Sequence, residues 1–390
     1  MLSQLKLARV VTQQILEIMY ELRQQPRFML VGLVPMGTNY ETILLEMEEV
    51  ESLVKTYGGE VFAATVQKSH HPDKSKFLGS GKAEEIADTI AKEKIDIVVI
   101  NDLANPGQLY TLEKIFYRSN QKIKVWDRMD LILHIFALHA HTKEAKLQID
   151  LASLRHMGPR TYGMGYILSR QEGGIGTVGV GETNTELMKR HWRDEMRRIK
   201  SELTRLSGER IKQMEKRKSI GFLTASLVGY TNAGKTMLFN RLTKKENYVS
   251  DNLFATLDSS VGKVILKGIR RDIAVSDTIG FIKNLPPGVI EAFKSTLIES
   301  VNADLLLIVV DVSDPEFAHK LRVVDGILNE LTLANKKRIY LFNKIDKAGS
   351  LDRMDLVKQY TLKSPLFISA KTGEGIDILF NKIEQSFNTM

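Results

Sequence analysis

Hydrophobic and polar positions change rhythm twice along the chain. Up to about residue 141, short apolar runs alternate with amphipathic stretches. RFMLVGLV (27–34), EVFAATVQ (60–67), DIVVIN (96–101) and IKVW (123–126) read as strands. Segments 41–58, 82–95, 106–119 and 127–140 place apolar residues at helical spacing, the first closed by Gly58. Such alternation predicts a small parallel α/β sheet. From 142 to 218 the apolar stripe narrows. Leu147, Leu151 and Leu154 are spaced four and three, and Trp192, Met196, Ile199, Leu203 and Leu206 repeat that step. Two narrow seams separated by a loop predict an antiparallel helical hairpin. The loop, 158–181, carries eight glycines and holds no core of its own. From 219 onward the alternation returns, with strands expected at 222–228, 264–267, 272–276, 305–312, 338–343 and 365–369. Their near-continuous apolar character predicts a sheet covered on both faces. The expected organisation is an N-terminal α/β domain (1–141), a helical hairpin with a glycine-rich loop (142–218) and a second α/β domain (219–390).

Composition narrows the classes. The 390 residues are 43% hydrophobic and 26% charged, which excludes a fibrous or wholly disordered chain. No apolar run reaches the roughly 18 residues of a membrane span, and Gln, Glu and Arg break the first apolar stretches, against a secretory signal. The chain has no cysteine, so disulfides, Cys-ligated zinc, iron–sulfur clusters and thiol nucleophiles are excluded. A cytoplasmic protein fits best. The net charge of +8 is concentrated: residues 185–218 hold twelve Lys or Arg against six Asp or Glu. That imbalance points to a polyanion. The plain alternative is a solvated helix face laced with i,i+4 pairs.

Four short motifs carry chemistry. GYTNAGKT fits Gly-x-x-x-x-Gly-Lys-Ser/Thr, follows a predicted strand and precedes a helix-spaced stretch, MLFNRLTK (237–244). There Gly229, Tyr230, Thr231, Asn232, Ala233, Gly234, Lys235 and Thr236 would cradle phosphates on inward-turned N–H groups. Lys235 would neutralise the β- and γ-phosphates and the Thr236 hydroxyl would ligate Mg²⁺. Taken alone, the match could be a glycine turn before a helix. In DTIG (Asp277, Thr278, Ile279, Gly280), Asp277 can hold Mg²⁺ through water and the Gly280 N–H can meet the γ-phosphate. In NKID (Asn343, Lys344, Ile345, Asp346), Asn343 can bond the base N7. Asp346 can accept two N–H groups that guanine offers and adenine lacks, which selects GTP over ATP. SAK (Ser369, Ala370, Lys371) can close over the guanine O6 with a backbone N–H. Four motifs in this order, each ending a predicted strand, predict that the third part of this α/β protein is a P-loop GTPase domain. Its sheet is expected to be mixed, mostly parallel and flanked by helices.

Residues 219–371 resemble a translation-factor-class GTPase. GYTNAGKT with FATLD (Phe254, Ala255, Thr256, Leu257, Asp258), DTIGFI (277–282) and NKID resembles the HflX family. FLGSGKAEEI (77–86), KLQIDLASLRHMGPR (146–160), GGIGT (173–177) and GETNTE (181–186) extend the likeness over nearly the whole chain. The resemblance implies a cytoplasmic GTPase that binds GTP or GDP with Mg²⁺ on Thr236, Thr256 and Asp277, with Lys235, Thr256 and Gly280 acting in hydrolysis. It implies the large ribosomal subunit and its RNA as partner, met by the N-terminal domain and the basic hairpin. It also implies splitting or rescue of ribosomes under stress. A monomer is expected. Thr256 would be the switch threonine on Mg²⁺ and the γ-phosphate, with a plain strand-edge threonine as the alternative. Phe281 stands where many GTPases carry a water-orienting Gln, so slow hydrolysis by the isolated protein is expected. Asn232 resembles the P-loop asparagine of GTPases that bind K⁺; a turn asparagine fits that position equally well. Departures are Thr236-Met237 in place of the family's Ser-Thr, and GVGETNTE (179–186) in place of GPGETQLE. GSGKAEEI (79–86) lacks full phosphate-loop spacing and reads as a turn and helix cap. His134, His139 and His141 read as packed or solvated rather than zinc-binding.

Overall fold

The computed structural model describes residues 25–156, 180–246, 253–254, 260–266, 268, 271–283, 298–331, 333, 335–349, 353–360 and 363–388. They fall into two compact units. One takes residues up to Leu138 together with Ile149–Glu202; the other takes His139–Gln148 and residues from Leu203 on.

The first unit is built on four strands, β1 (Arg27–Val34), β2 (Glu60–Lys68), β3 (Ile97–Ile100) and β4 (Lys124–Asp127). Their order is β2-β1-β3-β4 and every pair is parallel, as the alternation predicts. The helices are α1 (Tyr40–Tyr57), α2 (Ser80–Glu93), α3 (Pro106–Phe116) and α4 (Arg128–His139). Their ends follow local chemistry. Asn39 caps α1 by accepting the Glu41 N–H at 3.2 Å, and Gly58 ends it in the left-handed region at φ 96°. Asn105 and Gln108 form a capping box at α3, whose first residue is Pro106. Met29, Val31, Ile86, Ile90, Val98, Ile100, Leu112 and Val125 pack one core. The sequence places the start of a helix at Asp127. The structure makes Asp127 the last residue of β4, and α4 follows with no loop between. α4 ends at His139, so His141 lies beyond it.

After α4 the chain is helical over 143–156 (α5) and again over Val180–Ser219 (α6), 40 residues long. Trp192 and Ile199 are buried, and Met196, Leu203 and Leu206 are half-buried, as a narrow seam requires. The glycine-rich segment lies outside the described residues up to Gly179.

The second unit carries β5 (Leu223–Gly229), β6 (Ser260–Leu266), β7 (Arg271–Asp277), β8 (Leu305–Asp311), β9 (Lys337–Asn343) and β10 (Leu366–Phe367) in the order β10-β9-β8-β5-β7-β6. All pairs are parallel except β6 with β7, so the sheet is mixed and mostly parallel. Helices α7 (Lys235–Thr243), α8 (Ile298–Asn302), α9 (Phe317–Glu330), α10 (Arg353–Gln359) and α11 (Ile376–Asn388) complete it. β8 is buried along its whole length but for its last residue, as a doubly covered strand must be. β6 departs from that expectation. It buries Gly262, Val264 and Leu266 and exposes Lys263 and Ile265, because an edge strand meets the core on one face. β5 has neighbours reached by connections in opposite directions, β8 on one side and β7 on the other, which is where open α/β sheets place ligands.

Candidate active site

The loop Gly229–Thr236 runs from the carboxyl end of β5 to the start of α7. Two backbone positions bend it: Asn232 at φ 59° and Gly234 at φ 91°. Gly234 is obligatory twice over, since a Cβ there would come within 2.4 Å of the Asn343 amide nitrogen. Lys235 opens the helix and folds back over the loop, only 6% exposed. Its Nζ donates to the carbonyls of Tyr230 (2.8 Å) and Gly229 (3.3 Å). Burial pushes this ammonium down from 10.5 to about 8; Asp277 pulls it back up and Lys344 pushes it further down. The Thr231 hydroxyl is buried within the loop with no hydrogen-bond partner among the described residues.

Asp277, at the end of β7, accepts the Thr236 hydroxyl at 2.7 Å. Beyond it the chain presses onto the loop. Thr278 donates to the Leu227 carbonyl at 2.7 Å. The Phe281 N–H donates to Gly229 O at 3.1 Å, and the Thr231 N–H donates to Phe281 O at 2.7 Å. The Lys283 N–H donates to the Tyr230 hydroxyl at 2.6 Å. Gly280 fits between the two segments: a Cβ would come 2.7 Å from Thr231 Cα and 2.9 Å from Lys235 Nζ. Phe281 is buried and offers no hydrogen bond from its side chain.

The ends of β9 and β10 form the other half. Asn343 donates its amide to the Ala233 carbonyl at 2.8 Å and accepts the Ala370 N–H at 2.9 Å. It therefore ties the phosphate-binding loop to the Ser-Ala-Lys segment, a role the sequence did not show. Lys344, at φ 65°, pairs with Asp311 at 2.8 Å and lies 3.5 Å from Asn232 Oδ1. The Ile345 N–H donates to Ile368 O. Asp346 is exposed, with one oxygen accepting the Ser369 hydroxyl at 2.6 Å. Phe254 is buried in a turn at φ 58°. Ala255, Thr256, Leu257 and Asp258 lie outside the described residues.

The donor set fits what the motifs ask for. A loop that runs into a helix N-terminus, a buried ammonium and an unpartnered hydroxyl suit a polyphosphate. Two hard oxygens, Thr236 Oγ1 and Asp277 Oδ2, suit Mg²⁺. The exposed Asp346 carboxylate suits a purine with two adjacent N–H donors.

Outside this site, Asp127, Asp130 and His156 are the one group of acids and histidine among the described residues close enough to hold a metal ion. Asp127 accepts the Asp130 N–H at 2.8 Å and its own N–H donates to Asp130 at 3.3 Å, a reciprocal cap on α4. His156 Nε2 lies 3.0 Å from Asp127. The Asp127-x-x-Asp130 spacing is that of a helix cap, and nothing local announces His156. His134 stacks on Trp126 at 4.1 Å, in keeping with packing.

A parallel strand feeding a phosphate-binding loop, a second strand ending in Asp-x-x-Gly beside it, and Asn-Lys-x-Asp and Ser-Ala-Lys segments at the far end define a P-loop GTPase. Families described as GTP-binding GTPase N-terminal, GTP-binding GTPase Middle Region and 50S ribosome-binding GTPase match residues 45–137, 139–217 and 224–344. The chain belongs to the HflX family of GTPases. It is 39% identical over 363 residues to the GTPase HflX of Caldanaerobacter subterraneus, covering 93% of this chain and 81% of that one. It is 39% identical to the GTPase HflX of Alkalihalophilus pseudofirmus, over 88% of this chain and 78% of that one. A GTP-binding protein from Sulfolobus solfataricus, solved with GDP, is 26% identical with a TM-score of 0.46, over 93% of this chain and 99% of that one. GTP binding and hydrolysis to GDP follow from membership. Among the described residues, no helix is long and apolar enough to cross a membrane.

Proposed function

We propose that this GTPase works as a cytoplasmic monomer on the large ribosomal subunit, splitting or rescuing ribosomes under stress. The observation that carries the reading is α6: a single 40-residue helix on which basic residues outnumber acidic ones two to one over 185–218. It stands beside a match to a family described as 50S ribosome-binding. In this reading the N-terminal domain (1–141) and the basic hairpin (142–218) meet ribosomal RNA, and the GTPase domain (219–390) times the encounter.

Thr236 and Asp277, with Thr256, would hold Mg²⁺, which supplies charge neutralisation on the phosphates. Lys235 adds a second positive charge where negative charge develops on the γ-phosphoryl group. The Gly280 N–H meets the γ-phosphate, one position before Phe281, whose backbone pairs with Gly229 and Thr231. Asp346 and the Ser369–Lys371 backbone read guanine. Phe281 cannot orient the attacking water, so turnover is slow until the partner supplies that group. Asn232 Oδ1 faces the Lys344 ammonium; we propose that it takes K⁺ when nucleotide is bound, and equal turnover in Na⁺ and K⁺ would remove that assignment.

The test is GTP turnover with and without large ribosomal subunits, together with co-sedimentation across salt. Tenfold stimulation or more, at least about 1.4 kcal/mol of barrier, is expected. Binding should fall by about three to five decades between 50 and 200 mM salt if six to ten phosphates are met. Guanine-specific turnover with no stimulation and a flat salt response would move the search to a protein partner.

A further inference from the structure

Arg241 lies on α7, the helix that begins with Lys235 and Thr236, and its side chain reaches a segment 129 positions later. Its Nε donates to the Ala370 carbonyl at 2.6 Å, and one terminal nitrogen donates to the Lys371 carbonyl. The two peptide groups that flank the Ala370 Cα are therefore both held, the C=O of Ala370 by Arg241 and its N–H by Asn343 Oδ1. Gly373 completes the seat. It sits at φ 97°, and a Cβ there would come 2.7 Å from an Arg241 nitrogen. The planar fork suits two carbonyls that lysine's single ammonium would serve less well. Nothing in the Ser-Ala-Lys segment anchors those two carbonyls from within. Ser369 bonds to Asp346, Thr372, Glu374 and Gly373 instead.

We propose that Arg241 is a positioning residue for guanine recognition. It ties the helix that carries the phosphate ligands to the backbone that meets the guanine O6, so base discrimination depends on the same rigid element that holds the phosphates. The inference rests on the assignment of Asn343, Asp346 and Ser369–Lys371 as the base site. Without Arg241 the Ala370 and Lys371 carbonyls lose their anchor, and with the first of them the direction of the Lys371 N–H on the same peptide group. The O6 contact should then weaken while the Asp346 contacts to the other base edge remain.

The full-length protein, stripped of nucleotide, is titrated with GDP and with 6-thio-GDP. The latter keeps the N1–H and the 2-amino group and weakens the acceptor at position 6. Wild type is expected to favour GDP. Arg241→Ala should weaken GDP about tenfold and close most of the gap to 6-thio-GDP, and Arg241→Lys should recover part of both. GDP binding within twofold of wild type, or equal weakening of both nucleotides, overturns the role, because a merely structural residue would not alter their ratio. Equal binding of the two by wild type also overturns it. If Arg241→Ala does not fold, the ratio in Arg241→Lys decides. Asp346→Asn separates this from the base-site assignment: it should lose GDP and gain xanthosine diphosphate. If it does not, the assignment fails whatever Arg241 does.

Discussion

Among the described residues, two strand-to-helix turns carry glycines and a lysine at the head of a helix, and one of them has the form of a P-loop. In the first unit, Gly79-Ser80-Gly81-Lys82 opens α2 behind an edge strand. In the second unit, Gly229–Thr236 opens α7 behind β5, which has strands on both sides. Gly79 has φ −63°, an ordinary extended residue, and its N–H donates to Gln67 Oε1 at 3.0 Å. Lys82 turns aside to Thr65 and Glu85. The other loop has two positive-φ residues, and its lysine is driven back over its own carbonyls. The two turns thus differ in where their left-handed positions fall, inside the glycine-lysine loop at Asn232 and Gly234 but ahead of it at Phe77, and in whether the strand that feeds them ends inside the sheet.

The widest separation between the two turns should appear on removing each lysine. Lys235→Ala deletes the buried positive charge at the phosphates and should lower GTP turnover by about two to three decades, as loss of one preorganised charge partner typically does. Lys82→Ala should leave turnover within twofold. Steady-state GTP hydrolysis by the two variants checks both. A turnover that survived Lys235→Ala would place a second nucleotide site elsewhere.

Glycines come next. Gly234→Ala forces a side chain to φ 91° and into the Asn343 amide, which also anchors Ala233 and Ala370. The left-handed conformation alone costs about 1–2 kcal/mol, and displacement of Asn343 adds to it. GDP binding should be lost by at least tenfold, with a lowered melting temperature. Retained binding would mean that the loop can re-form without the Asn343 link.

Sequence reading reached these loops unequally, for physical reasons. The eight-residue spacing in 229–236 encodes the turn and the helix start, so the P-loop was legible, as was the cap at Gly79. The parallel character of the sheets was legible because near-continuous apolar runs alternate with helix-spaced stretches, whereas the order of the strands was not read from the sequence. β6 was placed late and short, at 264–267 rather than Ser260–Leu266, because an edge strand buries only alternate residues and Gly262 weakens the pattern. Asn343 was read as a base ligand from its motif, yet its bonds to Ala233 and Ala370 join three distant segments. Arg241 gave no signal at all, since an arginine in an amphipathic helix looks like any solvated one. His156 escaped in the same way: its partner lies 29 positions back.

The buried ammonium offers a subtler contrast. Burial lowers the folded Lys235 to about 8 against an ordinary 10.5. The unfolded chain therefore holds that proton more tightly, and without nucleotide the stability of the second unit should rise as pH climbs from about 8 to 10.5. Phosphate restores the charged form, so binding takes up a proton wherever the empty loop has lost one. GDP affinity should be flat near pH 7.5 and about tenfold weaker by pH 9. Calorimetry in two buffers of different ionisation enthalpy would show the proton uptake directly. No uptake at pH 9 would mean the empty loop keeps its ammonium charged.

The smallest expected effect is the most diagnostic of the cap. A Cβ on Gly79 would meet only the Gln67 amide, at 3.5 Å or more, which is ordinary contact. The Gly79 N–H that bonds to Gln67 belongs to the backbone and survives the change. Gly79→Ala should therefore cost no more than about 0.5–1 kcal/mol, the difference between glycine and alanine at a helix N-cap. It should leave nucleotide binding unchanged. Chemical denaturation of Gly79→Ala beside Gly234→Ala gives the comparison its sharpest form, because the chemical change is the same methyl group in both. If Gly79→Ala also weakened GDP, the turn at α2 would be part of a nucleotide site, and the distinction drawn from backbone angles would fall.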